Sequence, residues 1–393
     1  MSEGGLSVRG MKNHIDARSY YNLSKVFWEH SDLYGVQPVK LSAIQPIEWF
    51  TSTSGEASDI VSKEMILASR YIDKKEIGIL CPEYTGPLVK ILEGLGGTQH
   101  LQKSRFGYFA SAYRYNRPQA GRFREFTQCG WEWFNSDEAE VIFGAWQFLQ
   151  KIGWSDAVLH INNIGTEADQ KNYAKVLVEF LKNKELSPEV SHKLQNSPLR
   201  ILDLDNVGYE LPEYHISDRS KFDFLLERLS DLGIQFTIDR KLVRGLDYYE
   251  ETVFEFLMPY RKQTILAGGR YDRITSNWPK KSQAIGWSAG VERLLEKIES
   301  PVTEPVWVID MNGDSLKEVN FLREGGLSVL RQVGSDIKSW ITRANNANIE
   351  WFVVIGDDEK KNQTVSWKNL KNRTSGTSSI KDFNVSRETS CLD

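Results

Sequence analysis

Arg244 stands beside Gly245 in LVRGLDYYEETVFEF (242–256), followed by Asp247 and the paired Tyr248 and Tyr249 ahead of a run with strand propensity. A guanidinium is always charged, and its planar fork of donors fits a phosphate or a carboxylate. Held at a buried strand end, it would be rigid enough to serve a site. A second stretch, FGYFASAYRYNRPQAGRFREFTQCGWEWF (106–134), carries Arg114, Arg117, Arg122 and Arg124 within eleven residues, with Glu125 the acid close by. A hairpin of this kind would hold a nucleotide phosphate on its strand and reach nucleic acid with its basic tip. Further along it, Gln128, Gly130 and Glu132 alternate with Cys129, Trp131 and Trp133. Period two puts the amide and the carboxylate on one face, with a glycine between them that leaves room for a ligand, a floor suited to a small cationic substrate.

Three shorter segments point the same way. Glu83 and Thr85 lie in PEYTG at a strand end ahead of a helical pattern. AGGRYD (267–272) reads as a glycine-rich turn through which backbone approaches a ligand closely. In AIGWSAGVERLL (284–295), Arg293 falls in the first turn of a helix, where the helix end and the guanidinium together favour phosphate. Taken singly, each has a plainer explanation: a strand-end ion pair, a helix cap, or an edge hairpin protected by charge.

The elements that must position these residues are mixed. Helical spacing covers Ala17–Leu33 and resumes from Leu88 to Leu95. Strands are expected around Tyr108–Tyr115, Phe123–Phe134 and 157–164, and the chain returns to the sheet at Phe236 after a helix over Leu225–Leu232. A charged, mostly helical stretch at about 166–218 reads as an insertion. Pro301–Pro305 reads as a linker. Beyond it a separate α/β pattern follows: strand Val306–Ile309, helices around Gly326–Val333 and Ile337–Ala344, and strands Trp351–Ile355 and Gln363–Trp367, with a frayed polar end.

The 393-residue chain is long enough for two or three domains. A net charge of −4 gives no global signal for nucleic acid, so such contact must come from local basic clusters. Cys81, Cys129 and Cys391 are scattered without metal-ligand spacing, which predicts no bound structural metal, no disulfide framework and a reducing compartment. With no apolar run of membrane-spanning length and no signal-peptide pattern, a cytoplasmic location is expected.

Five of these segments, in the order in which they follow along the chain, resemble the class II aminoacyl-tRNA synthetases, and specifically the histidyl-tRNA synthetase family. LVRGLDYY and AGGRYD are similar to its two histidine signatures, YRYNRPQAGRFREFTQCGWE to class motif 2, AIGWSAGVERL to motif 3 and PEYTG to its amino-acid loop. The resemblance extends to INNIG (161–165), SPLRILD (197–203) and WFVVIGDDE (351–359). It implies an α+β fold: an antiparallel sheet flanked by helices over 1–300, interrupted by the helical insertion, with a C-terminal α/β anticodon-binding domain over 301–393. The activity implied is ATP-dependent histidine–tRNA ligation, with ATP and Mg²⁺, histidine and the histidine tRNA as ligands and a homodimer as the assembly.

On matching positions the resemblance implies that Arg114 holds the α-phosphate and Arg293 the γ-phosphate, with Gly290 also in the ATP site. Arg244 would stabilise charge developing at the α-phosphate. Glu83, Thr85 and Gln128 would take the amino group, while Glu132, Tyr248, Tyr249 and Tyr271 would enclose the side chain. Arg117, Gln119 and Arg124 would reach the tRNA acceptor end. The chain departs from the family at Ser42, where motif 1 usually has proline, at Asn116, where an acid usually follows the motif 2 arginine, and at Cys81, where arginine is common. The rival is a catalytically silent paralogue acting as a regulatory subunit, for example of ATP phosphoribosyltransferase. Such paralogues usually lose the arginine signature, which this chain keeps.

Overall fold

Alternation along residues 125–134 decides the layering of the first half of the chain. In the computed structural model, which describes residues 17–54, 58, 60–98, 104–116, 123–204, 206–260, 263–298 and 305–383, Cys129, Trp131 and Trp133 all face one apolar core. Helices α1 (Arg18–Leu33), α3 (Glu138–Lys151) and α6 (Ser220–Asp231) supply the other side of that core through Leu23, Phe27, Val141, Phe148, Phe222 and Leu225. Trp131 stacks on Trp133 at 5.0 Å and on His30 at 5.4 Å, and its indole N–H donates to Ser31 Oγ at 2.9 Å. The polar residues of the same strand are left on the opposite face.

That strand belongs to an eight-stranded sheet made of β1 (Gln37–Pro38), β2 (Arg105–Tyr113), β3 (Glu125–Phe134), β4 (Val158–Asn163), β5 (Phe236–Ile238), β6 (Glu250–Leu257), β7 (Thr264–Arg270) and β8 (Ala284–Gly290). Their order is β1-β2-β3-β8-β7-β6-β4-β5. Only the outer pairs, β1 with β2 and β4 with β5, are parallel. An antiparallel sheet can cover one face with helices and leave the other for a site, and this one does so. Helix α2 (Thr85–Gly94) packs Leu88, Val89 and Leu92 into a second core with Tyr248, Tyr249, Tyr271 and Trp278.

The stretch at about 166–218 is mostly helical in its first part. Thr166 and Asp169 form a capping box that starts α4 (Glu167–Leu181), and Ser187 with Pro188 starts α5 (Pro188–Asn196). A 3₁₀ turn, Pro198–Ile201, follows, and the rest is irregular up to α6. Leu181, Val190 and Ile201 give the segment a small core of its own.

The chain divides into two compact units, Met1–Ser300 and Pro301–Asp393. The second holds a five-stranded sheet of β9 (Val306–Asp310), β10 (Val329–Val333), β11 (Trp351–Ile355), β12 (Thr364–Asn369) and β13 (Ser375–Ser379), in the order β10-β9-β11-β12-β13. Helices Leu316–Glu324 and Ile337–Asn346 accompany it.

Two expectations are corrected here. Gly326–Val333 was expected as helix, but Val329–Val333 is strand β10, paired in parallel with β9; the helix ends at Glu324 and Gly326 turns the chain with φ +87°. Ala267–Arg270 was expected as a turn, but it lies inside β7 between β6 and β8. Its glycines serve close strand approach instead: a Cβ on Gly268 would fall 2.1 Å from the Gly286 carbonyl. Expectations that concern Arg117, Gln119, Arg122, Cys391, the linker up to residue 304 and the last ten residues lie outside the described residues.

Candidate active site

A cavity of about 470 Å³ opens on the polar face of the sheet, and Glu83, Thr85, Arg114, Gln128, Glu132, Arg244, Tyr248, Tyr249, Gly290 and Arg293 all line it. Segments separated by more than two hundred residues therefore converge. Tyr271 does not line the cavity; it supports Glu132 from the side. Arg124 also stays out of the lining, with its guanidinium over the Tyr115 ring at 4.0 Å.

The acidic wall is built on Glu132, which is buried. Thr85 Oγ1 donates to its Oε1 at 2.6 Å, Tyr108 OH to the same oxygen at 3.4 Å, and Tyr271 OH to Oε2. Burial outweighs these hydroxyls and, with Glu83 nearby, pushes the carboxyl up to about 8. Two glycines make the arrangement possible. A Cβ on Gly286 would lie 2.0 Å from Glu132 Oε2, and one on Gly130 would lie 2.7 Å from Tyr108 OH. The space over Gly130, expected to be left for a ligand, is thus taken by Tyr108.

Glu83 sits at the N-terminus of α2, where its two oxygens accept from the backbone N–H of Thr85 (2.8 Å) and Gly86 (3.0 Å). It is a cap and a cavity wall at once. Burial raises its pKa, opposed by the Gly86 N–H, Arg114 and Thr85. Gln128 donates from Nε2 to Ser288 Oγ at 3.0 Å, while its Oε1 is enclosed with no hydrogen-bond partner among the described residues. A buried acceptor left open is costly unless a ligand donor fills it.

The cationic side of the cavity is anchored through backbone and carboxylate groups. Arg114 Nε donates to the Pro82 carbonyl at 2.8 Å, and Arg293 NH1 to the Thr264 carbonyl at 2.6 Å. Arg293 lies on a helix of only four residues, Val291–Leu294, so its own guanidinium rather than a helix dipole carries the charge. Arg244 pairs with Glu255, whose other oxygen accepts from Thr264 Oγ1 at 2.7 Å, and lies 5.7 Å from the Tyr249 ring centroid. Burial works against its charge, but Glu255 and the two tyrosines outweigh burial and raise its pKa. Its Nε is enclosed without a hydrogen-bond partner among the described residues. The ion pair that offered the plain explanation of Arg244 exists, and the side chain lines the cavity nonetheless.

Sequence reasoning missed Tyr108, Ser288, Glu255, Glu292 and Arg200. Tyr108 and Glu255 were accessible through strand alternation. Ser288 required the β3–β8 register that sets it opposite Gly130.

An antiparallel sheet with a charged open face, fed by a hairpin strand and a strand–helix turn that both carry arginine, is the fold of a class II aminoacyl-tRNA synthetase. The family model described as histidyl-tRNA synthetase matches residues 14–294. A histidine–tRNA ligase from Wolbachia pipientis is 33% identical over 93% of this chain and 95% of its own length. In structure, the apo histidyl-tRNA synthetase of S. aureus matches with a TM-score of 0.75 at 24% identity, covering 96% of this chain and 98% of that one. A protein from Bacillus halodurans described as an ATP phosphoribosyltransferase regulatory subunit/histidyl-tRNA synthetase shares the fold at a TM-score of 0.62 and 21% identity, covering 86% and 95%. The chain belongs to the histidyl-tRNA synthetase family. The rival reading as a silent regulatory paralogue is not favoured, since relatives at about a third identity over nearly the whole chain are ligases.

Proposed function

We propose that this cavity is where the chain, a histidine–tRNA ligase, joins histidine to AMP and then to the 3′ end of the histidine tRNA. The observation that carries the reading is the convergence of Arg114, Arg244 and Arg293 with Glu83, Gln128 and Glu132 on one enclosed cavity. ATP is a substrate. A histidine carboxylate oxygen attacks the α-phosphorus, the bond to the bridging oxygen breaks, and pyrophosphate leaves. A ribose hydroxyl at the tRNA terminus then attacks the carbonyl carbon and releases AMP.

The nucleophile is already an anion, so position and charge do the work that a general base does elsewhere. Arg114 and Arg293 hold the α- and γ-phosphates and Gly290 lets the nucleotide lie against the strand. Arg244 faces the charge that grows on the α-phosphate. The open Oε1 of Gln128, with Glu83 and Thr85, receives the substrate ammonium group. Glu132, backed by Tyr271, takes a ring N–H of the imidazole, and Tyr248 and Tyr249 close the walls. Arg117, Gln119 and Arg124 reach for the acceptor end. The residues fit a Mg²⁺ ion arriving on the nucleotide: Glu292 lines the cavity beside Arg293, and burial raises its carboxyl, so a nearby cation would relieve the cost of its charge. The ion's part is to offset phosphate charge. We further read Met1–Ser300 as the catalytic unit and Pro301–Asp393 as an anticodon-binding unit, in a cytoplasmic homodimer. Among the described residues no helix is long and apolar enough to cross a membrane.

Pyrophosphate exchange with each amino acid tests the reading. Exchange is expected with histidine alone, and Arg244→Ala is expected to lower it by roughly 10²–10³ or more with the fold retained. Exchange driven equally by other amino acids, or unchanged in Arg244→Ala, would overturn it.

A further inference from the structure

Arg244, Tyr248 and Tyr249 reach the catalytic cavity from a segment without regular secondary structure, since β5 ends at Ile238 and β6 begins at Glu250. The segment is also thin. Arg244, Leu246 and Tyr249 border the catalytic cavity and also a second one of about 380 Å³, which Ile164, Gln170 and Arg273 help to line. The two tyrosine side chains are packed in a core. The segment that carries them has open space on both of these sides, so packing alone does not fix its path.

The sheet does not fix it either. Where β6 starts, its pairing with β7 slips: Val253 lies opposite Gly269, but the partner of the next residue, Arg270, is Glu250. Glu251 takes a left-handed φ of +53° in this bulge, its N–H donating to the Gly165 carbonyl at 2.8 Å and its carbonyl accepting from Ile164 N–H at 2.7 Å. A bulge re-aims the chain and interrupts the ladder, and carbonyls ahead of it then need donors from elsewhere. Two side chains supply them. Gln170 Nε2, from α4 of the insertion, donates to the Tyr249 carbonyl at 3.0 Å and to the Gly165 carbonyl at 3.3 Å. Arg273 NH2, from the 3₁₀ turn Asp272–Thr275 that follows β7, donates to the same Tyr249 carbonyl at 3.0 Å and to the Asp247 carbonyl. One carbonyl is thus clamped by two separate elements, and the Arg244 guanidinium lies 5.7 Å from the ring of that same tyrosine.

Resting on the reading of the cavity given above, we propose that Gln170 and Arg273 are positioning residues for histidine activation. By clamping the Tyr249 carbonyl they set one wall of the amino-acid pocket and, through the Tyr249 ring, the place of Arg244. Neither residue lines the catalytic cavity, so each acts through the segment it holds. The nucleotide side is anchored independently, with Arg114 on the Pro82 carbonyl and Arg293 on the Thr264 carbonyl. Loss of the clamp should therefore be felt by histidine and not by ATP.

Histidine-dependent pyrophosphate exchange, with histidine and ATP varied in turn, tests this in Gln170→Met, Arg273→Ala and Arg273→Lys. Methionine keeps the length of Gln170 without a donor, and lysine keeps a charged donor without the fork. In Gln170→Met and Arg273→Ala the KM for histidine should rise about tenfold and kcat should fall on the order of 10²-fold, the loss that a displacement of about 1 Å brings to a reacting geometry. The KM for ATP should keep its parent value, and Arg273→Lys should recover part of both losses. If Arg273→Ala does not fold, Gln170→Met and Arg273→Lys decide the matter by the same readouts. A parent-like KM for histidine in Gln170→Met overturns the proposal. So does a fall in kcat with both KM values unmoved, which marks lost folded protein, or a KM for ATP that rises as far as that for histidine, which marks a cavity disturbed throughout. If the unmutated chain shows no histidine-dependent exchange, the reading of the cavity fails and takes this proposal with it. Exchange by the unmutated chain together with indifferent variants sinks this proposal alone.

Discussion

Replacing Glu132 by glutamine should remove a fall in stability that the parent shows as pH rises. Burial raises this carboxyl from its ordinary 4.5 to about 8. In the folded chain without ligand it keeps its proton well above pH 4.5, whereas in the unfolded chain it loses the proton there. Between those two values the unfolded state binds fewer protons, so stability falls as pH rises and levels off above about 8. At about 1.36 kcal/mol per pH unit, the loss accumulates to about 5 kcal/mol over the window. Glutamine keeps the shape, with its one carbonyl oxygen accepting from the hydroxyls on one side and its amide donating on the other, and carries no titrating proton, so Glu132→Gln should lack this slope.

The assay is urea unfolding of both proteins at intervals from pH 5 to pH 8.5, followed by tryptophan fluorescence, since Trp131 and Trp133 lie in the core under the same strand. The variant's stability should gain on the parent by about 1.4 kcal/mol per pH unit. Saturating histidine should flatten the parent's slope, because an imidazole beside the carboxylate favours its ionised form. Stability curves that run parallel from pH 5 to 8 would refute the account of a neutral acid in the empty pocket.

The glycines give a paired test. Gly286→Ala places a methyl 2.0 Å from Glu132 Oε2 and 2.5 Å from the Trp131 carbonyl, so a destabilisation of about 1–3 kcal/mol and weakened histidine binding are expected from thermal unfolding and ligand titration. A Cβ on Gly290 meets nothing within 4 Å, so Gly290→Ala should unfold at the parent temperature while raising the KM for ATP in exchange; a parent-like KM would remove Gly290 from the nucleotide site. Ending the chain after Ser300 should spare histidine-dependent exchange and weaken tRNA charging, and undiminished charging would contradict an anticodon-binding role for the second unit.

Where a local repeat carries the information, the sequence is readable. The alternation of Gln128 and Glu132 with Cys129, Trp131 and Trp133 reports two environments because consecutive strand residues face opposite ways. AGGR was misread because glycine signals a turn in isolation, whereas a central strand needs glycine when its neighbours crowd it from both sides. Gly326–Val333 was misread because its apolar residues also fit helical spacing, and only the pairing with β9 makes it strand. Tyr108 over Gly130, Glu255 against Arg244, and Arg200 above Gly245 depend on tertiary packing. The last joins a 3₁₀ turn to a glycine 45 positions later, and no short-range pattern encodes that distance.

Strand β3 works as a two-sided ruler, and this restricts which changes the chain can tolerate. Deleting or inserting one residue between Glu125 and Gln128 would slide every later position to the opposite face. Tryptophan rings would then crowd into the cleft while an acid and an amide were forced against Phe27 and Phe148. Catalysis and folding would fail together from that one slip. Length variation along this lineage is therefore expected to collect in the hairpin tip and the insertion, and this ten-residue segment to keep its count.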